Sequence, residues 1–86
     1  MKKIVEQVDN EGLESLLGER VILLCANYFY TGTLKGVNES CVMLDDAAIV
    51  YETGPWGTGK FKDEQKLGIS PFYVQTDAIE SYGATK

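Results

Sequence analysis

Three strand-like segments follow one another along the chain, and the connections between them are too short to hold a helix. Residues 21–26 are apolar at every position, as in a strand that is buried on both faces. Residues 28–37 alternate in character, and residues 41–52 form a long third segment with a bend expected at Asp45 and Asp46. Strands over about 20–26, 28–37 and 41–52 without crossover helices indicate an all-β fold.

A helical pattern precedes these strands. Leu13, Leu16 and Leu17 recur at the spacing of one helical face. Gly18 is a typical residue just after the end of a helix. We therefore predict a short N-terminal α-helix over about residues 11–17.

The second half of the chain contains one long loop and two further strands. Residues 53–66 hold three glycines and a proline, which predict a loop. Residues 67–75 predict a fourth strand, in which Pro71 favours an edge or bulge position. Residues 78–82 predict a short fifth strand after a turn.

The 86 residues are enough for one domain, residues 1–86. Gly32 and Gly36 lie inside the second strand pattern, where glycine indicates strong bending or a close approach of backbones. We predict a small, strongly bent, five-stranded barrel with a short N-terminal helix. Its exposed strand edges need a partner, and head-to-tail pairing of identical chains closes into a ring where the rotation permits.

Three motifs mark the first half of the chain: Leu-x-x-Leu-Leu-Gly-x-Arg-Val-x-Leu over residues 13–23, Tyr-x-Gly-x-Leu-x-Gly-Val-Asn over residues 30–38, and Val-x-Leu-Asp-Asp-Ala over residues 42–47. In this order the chain resembles the Sm/LSm family of ring-forming RNA-binding proteins. The resemblance implies an SH3-like, Sm-like barrel over the single domain. It also implies a homo-oligomeric ring, in which the fourth strand of one subunit pairs with the fifth strand of its neighbour.

The resemblance further implies that two loops build a pocket for RNA bases. The residues at the corresponding positions are Asn38, Glu39, Ser40, Gln75, Thr76 and Asp77. Ser40 stands where the family has an aromatic residue or histidine, and Gln75 stands where the family has arginine. The implied function is an RNA-associated ring protein with a degenerate base pocket.

Aromatic and basic residues are also grouped in the long loop, as a candidate contact surface: Trp56, Lys60, Phe61, Lys62 and Lys66. Rings beside cations suit base stacking with phosphate contact, or a hot spot for a protein partner. The alternative is a solvated hairpin with Trp56 folded onto its own barrel or a neighbour.

The composition argues against an enzyme. The chain has no histidine, which removes the commonest general base and the commonest metal ligand. Cys25 and Cys41 lie in apolar runs, as buried free thiols do. The net charge of −5 also disfavours non-specific binding to nucleic acid. We therefore expect no catalytic residues, no metal and no cofactor.

Two other functions remain open: a protein-binding ring scaffold with no RNA role, and a monomeric SH3-like adaptor. The early charges at Lys2, Lys3 and Glu6 do not fit a signal peptide. No apolar run approaches the roughly 20 residues that span a bilayer. We expect a cytoplasmic protein without a membrane partner.

Overall fold

A computed structural model describes residue 4, residues 12–56 and residues 60–85. These residues form six strands: β1 (Arg20–Cys25), β2 (Phe29–Val37), β3 (Cys41–Glu52), β4 (Asp63–Lys66), β5 (Phe72–Gln75) and β6 (Ile79–Ala84). Two short 3₁₀ helices cover Leu13–Leu16 and Thr76–Ala78. In this part of the chain, no helix has both the length and the apolar character needed to cross a bilayer.

The six strands form one antiparallel sheet: five lie in the order β4-β3-β2-β1-β6, and the sixth, β5, pairs with β3. The long strand β3 has two partners along one edge, because β5 pairs with its first half and β4 with its second half. Among the described strands nothing joins β5 to β6, so the sheet is open. The all-β prediction is confirmed, but the sheet has six strands rather than five.

A bulge bends β3 at its centre. Between the pairs Thr31↔Ala48 and Thr33↔Asp45, Gly32 faces two residues of β3. One of them, Asp46, has a φ of 52°. A Cβ atom at Gly32 would lie 3.2 Å from the Asp45 carbonyl oxygen, which is closer than most Cβ contacts, so glycine favours this close approach of the two backbones. The predicted bend and the predicted close approach are therefore the same structural feature.

The core lies on one side of this bent sheet and is made mainly of aliphatic side chains: Leu13, Val21, Leu23, Cys25, Leu34, Val42, Leu44, Ala47 and Val74. Strand β1 is buried on both faces, as its uninterrupted apolar run predicts, because Ile22 on the opposite face is also buried. Next to the core, the Tyr30 ring packs 5.4 Å from the Phe72 ring, measured between centroids. Burial raises the pKa of Tyr30.

The predicted α-helix over residues 11–17 is wrong in type and length, although residue 11 lies outside the described residues. The chain forms a single 3₁₀ segment, which Gly12 precedes with a φ of 74°. In a 3₁₀ helix, residues three apart share a face, whereas residues four apart do not. Leu13 and Leu16 accordingly pack on the core, while Leu17 is half exposed.

The predicted fourth strand over residues 67–75 is wrong in its first half. Residues 67–71 leave the sheet, with Gly68 at a φ of 70° and Pro71 without an amide to donate. The predicted loop over residues 53–66 instead ends in β4, whose four residues are all exposed. Since β4 is polar and buries no face, its sequence carries no apolar alternation that would predict a strand.

Candidate functional site

The two loops that the sequence predicts as a pocket lie side by side. The Thr76 amide donates a 2.9 Å hydrogen bond to the Ser40 carbonyl oxygen. The Thr76 hydroxyl donates a 2.8 Å bond to the Glu39 carbonyl oxygen. Thr76 therefore joins the β5–β6 connection to the β2–β3 turn, and the pairing of Cys41 with Gln75 continues the contact into the sheet.

Asn38 fixes the shape of the β2–β3 turn. Its side-chain oxygen accepts hydrogen bonds from the amides of Ser40 and Cys41, at 2.7 and 2.9 Å. This is the turn geometry that asparagine favours, because its short side chain satisfies the amides that follow it. The Asn38 oxygen is thus occupied by the backbone, and its amide nitrogen is the group left to meet a ligand.

A cavity of about 500 Å³ opens where these loops meet the first 3₁₀ helix and β6. Its lining combines apolar and polar side chains: Leu13, Glu14, Val37, Asn38, Glu39, Thr76, Ile79 and Tyr82. We call it the loop cavity. Three of the six predicted pocket residues (Asn38, Glu39 and Thr76) line it. The other three, Ser40, Gln75 and Asp77, lie in the same two loops but outside the lining.

Tyr82 also lines the loop cavity, although the sequence does not predict it as a site residue. The register between β1 and β6 shifts so that Leu24 pairs with Ser81 and Cys25 with Ile79, which leaves Glu80 as an extra residue. The bulge places Tyr82, which pairs with the core residue Leu23, on the same face as Ile79. Simple alternation would put residues 79 and 82 on opposite faces, so the sequence carries no plain signal for this site.

The loop cavity is acidic. Glu14 and Glu39 line it, and neither carboxylate has a hydrogen-bond or ion-pair partner among the residues that the structure describes. Among the described residues that line it, none is a lysine or an arginine. The Tyr82 side chain remains 41% exposed and offers a ring to the cavity. These groups suit a planar or cationic ligand better than a phosphate.

The predicted contact surface of the long loop carries less free positive charge than its sequence indicates. The Lys62 ammonium lies 3.4 Å from a Glu52 carboxylate oxygen. The Lys66 ammonium donates a 2.9 Å hydrogen bond to Asp46. Both are therefore at least partly neutralised within the chain. Lys60 is exposed and also has an interaction partner.

The two rings of this surface touch each other. Trp56 and Phe61 meet edge to face, with 6.4 Å between their centroids. Trp56 stays 61% exposed. Phe61 lines a second cleft, of about 410 Å³, together with Arg20 and Lys66. Residues 57–59, between the rings, lie outside the described part.

Asp45 and Asp46, where the sequence predicts a bend, have different hydrogen-bond partners. Asp45 accepts a hydrogen bond from the Ser70 hydroxyl. Asp46 accepts from Lys66 and from Arg20, the latter at 3.2 Å. The hydrogen bond and the charge of Lys66 lower the pKa of Asp46. The two carboxylates thus serve two separate polar contacts on either side of the β3 bulge.

Within the described ranges, no group of three or more acidic or cysteine side chains is arranged to hold a metal ion. Cys25 is buried and Cys41 is half-buried, and both are free thiols. Comparison with protein-family models, with curated proteins and with solved structures finds no match for this chain.

Proposed function

We propose that this chain is an Sm-like small-barrel protein that assembles into a homo-oligomeric ring and associates with RNA through a degenerate base pocket. The observation that carries the proposal is the joining of the two loops through Thr76, because the resemblance assigns base binding to these loops together. The polar side chains of Ser40 and Gln75 are exposed and offer neutral hydrogen-bonding groups to an unstacked base.

Two open strand edges support the ring. Strand β5 pairs only with β3, and β6 pairs only with β1, within the part of the chain that the structure covers. An unpaired edge is a template for another strand. Pairing β5 of one copy with β6 of the next repeats head to tail until the ring closes. In the proposed Sm-like barrel, β5 and β6 take the places of the family's fourth and fifth strands.

Gln75→Pro tests the assembly. The backbone amides of successive residues in a strand point to opposite edges. Because the Thr76 amide points toward the β3 side, the Gln75 amide points toward the unpaired edge of β5. Gln75 has a φ of −70°, which proline adopts without strain. The substitution therefore removes an edge donor at little cost to the fold.

We expect wild type and the control Gln75→Ala to form the same closed oligomer, and Gln75→Pro to form a smaller species. Light scattering and native mass spectrometry measure the mass, and circular dichroism checks the fold. A wild-type chain that stays monomeric at high concentration contradicts the ring and leaves the SH3-like adaptor as the better description.

The RNA role has its own test. Labelled U-rich and A-rich oligonucleotides are titrated at low salt against protein whose oligomeric state is verified. Binding at tens of micromolar or tighter, weakened by Ser40→Ala or Gln75→Ala, agrees with the proposal. A verified ring that binds neither oligonucleotide contradicts the RNA role alone.

The acidic lining of the loop cavity favours a second candidate, a ring scaffold that binds protein. Glu14 and Glu39 repel phosphates but attract basic side chains, and both carboxylates are free of partners in the described structure. The RNA titration separates the two candidates, because a protein-binding scaffold predicts a ring that leaves RNA unbound.

A further inference from the structure

We propose that the loop cavity binds an arginine side chain from a basic segment of a protein partner. The inference rests on the protein-binding scaffold as the function, and it names the chemistry of the partner. The proposed occupant is a guanidinium group together with its apolar stem.

The size and the walls of the cavity fit this occupant. A volume of about 500 Å³ lies in the range of sites that bind small organic groups, about 300–1,000 Å³. Leu13, Val37 and Ile79 provide an apolar wall. A long charged side chain lays its methylene groups along such a wall and keeps its charged end in water.

The polar groups of the cavity select a planar cation. The exposed ring of Tyr82 is a surface on which a guanidinium group stacks, through both its charge and its planarity. Glu14 and Glu39 supply carboxylates that accept the paired N–H donors of the same group. The ammonium group of lysine is not planar and does not present paired N–H donors, so we expect arginine to bind more tightly than lysine.

Within the loop cavity, which Ser40 and Gln75 do not line, charge favours a basic protein segment over a phosphate backbone. The chain carries a formal charge of −5, and the described residues of the cavity lining include two carboxylates and no basic side chain. A phosphate backbone meets repulsion here, whereas a basic peptide is attracted over a distance of about 10 Å at 0.1 M salt.

Three peptides of one length test the proposal: one with two arginines, one with lysine at both positions and one with citrulline. Citrulline keeps the planar shape but has no charge. Binding to the full chain is followed by NMR chemical-shift changes and by titration calorimetry at low salt. We expect the order arginine, lysine, citrulline, with changes centred on residues 37–39, 76 and 82.

Two matched pairs of variants locate the site. Glu39→Gln and Tyr82→Leu each weaken arginine-peptide binding, by about two- to fivefold. The control for Glu39→Gln is Glu80→Gln, which makes the same charge change on an exposed residue outside the lining. The control for Tyr82→Leu is Tyr73→Leu, which removes an exposed tyrosine of β5. We expect neither control to alter the affinity.

The proposal is overturned if citrulline binds as well as arginine, or if both members of a pair have the same effect. It is also overturned if an oligonucleotide binds in the cavity and Glu39→Gln strengthens that binding. The oligomer mass of each variant is measured alongside. A loss of the ring is therefore recognised separately from a loss of the arginine site.

Discussion

Gly32 lies opposite the bulge that bends β3. A methyl group at this position should lower the free energy of unfolding. A Cβ atom at Gly32 would lie 3.2 Å from the Asp45 carbonyl oxygen, 3.2 Å from the Leu44 Cβ and 3.3 Å from the Ala47 Cα. All three are backbone or backbone-attached atoms of β3, so no side-chain rotation relieves the contacts. We therefore expect Gly32→Ala to require a shift of a few tenths of an ångström between β2 and β3 at the bulge.

Gly83→Ala is the matched control. Gly83 also lies in a strand, and a Cβ atom there would meet no atom within 4 Å. Replacing glycine with alanine at an unstrained position raises the free energy of unfolding by about 0.4–1 kcal/mol, because it reduces the conformational freedom of the unfolded chain. Both variants share this gain, so the difference between them isolates the steric cost, about 1–3 kcal/mol for an overpacked site.

Thermal and urea unfolding of both variants at one protein concentration measure this difference. One concentration is needed because assembly links stability to mass action. Each kcal/mol shifts the melting temperature by about 4–8 °C in a domain of this size. We expect Gly32→Ala to melt at least about 4 °C below Gly83→Ala. Equal melting temperatures would refute the reasoning, since the close approach would then cost nothing to relieve.

Two further predictions concern titratable groups. Lys66 lowers the pKa of Asp46, so the stabilisation by this pair is present above the ordinary carboxyl pKa and is lost as the pH falls through the lowered value. In Lys66→Met, an NMR titration should find the Asp46 pKa closer to its ordinary value; an unchanged pKa contradicts the contact. Burial raises the pKa of Cys25, whereas Cys41 is half-buried. A thiol reagent should therefore modify Cys41 well before Cys25, and equal rates would show that the core opens readily.

The first half of the fold was predictable because its apolar pattern is strong. The third strand has its predicted bounds, Cys41–Glu52, and the first two are correct to within one residue. These strands bury large apolar side chains, so their burial and their sequence pattern coincide. The fold was not predictable where burial is weak. All four residues of β4 are exposed. The strand pairs with β3 through backbone hydrogen bonds, which do not require a particular side-chain pattern.

The site was predictable only in part. Of the six residues that the resemblance to the Sm/LSm family implies, Asn38, Glu39 and Thr76 line the loop cavity. Tyr82 was missed because its position depends on the bulge at Glu80, and a bulge changes which face a residue occupies without changing the composition. Glu14 was missed because the predicted α-helix gave no reason to place a carboxylate of that segment at the loops.

The pairing of β1 with β6 makes the loop cavity depend on a contact between strands that are far apart in the sequence. The register joins residues such as Val21 and Ala84, which are far apart along the chain, so this pairing carries a large loop-closure cost. During synthesis, residues 13–52 are complete before Tyr82 exists, and until β6 docks the cavity lacks its ring and one wall. A ligand that contacts both Tyr82 and the loops would therefore bind the finished domain and not the nascent one.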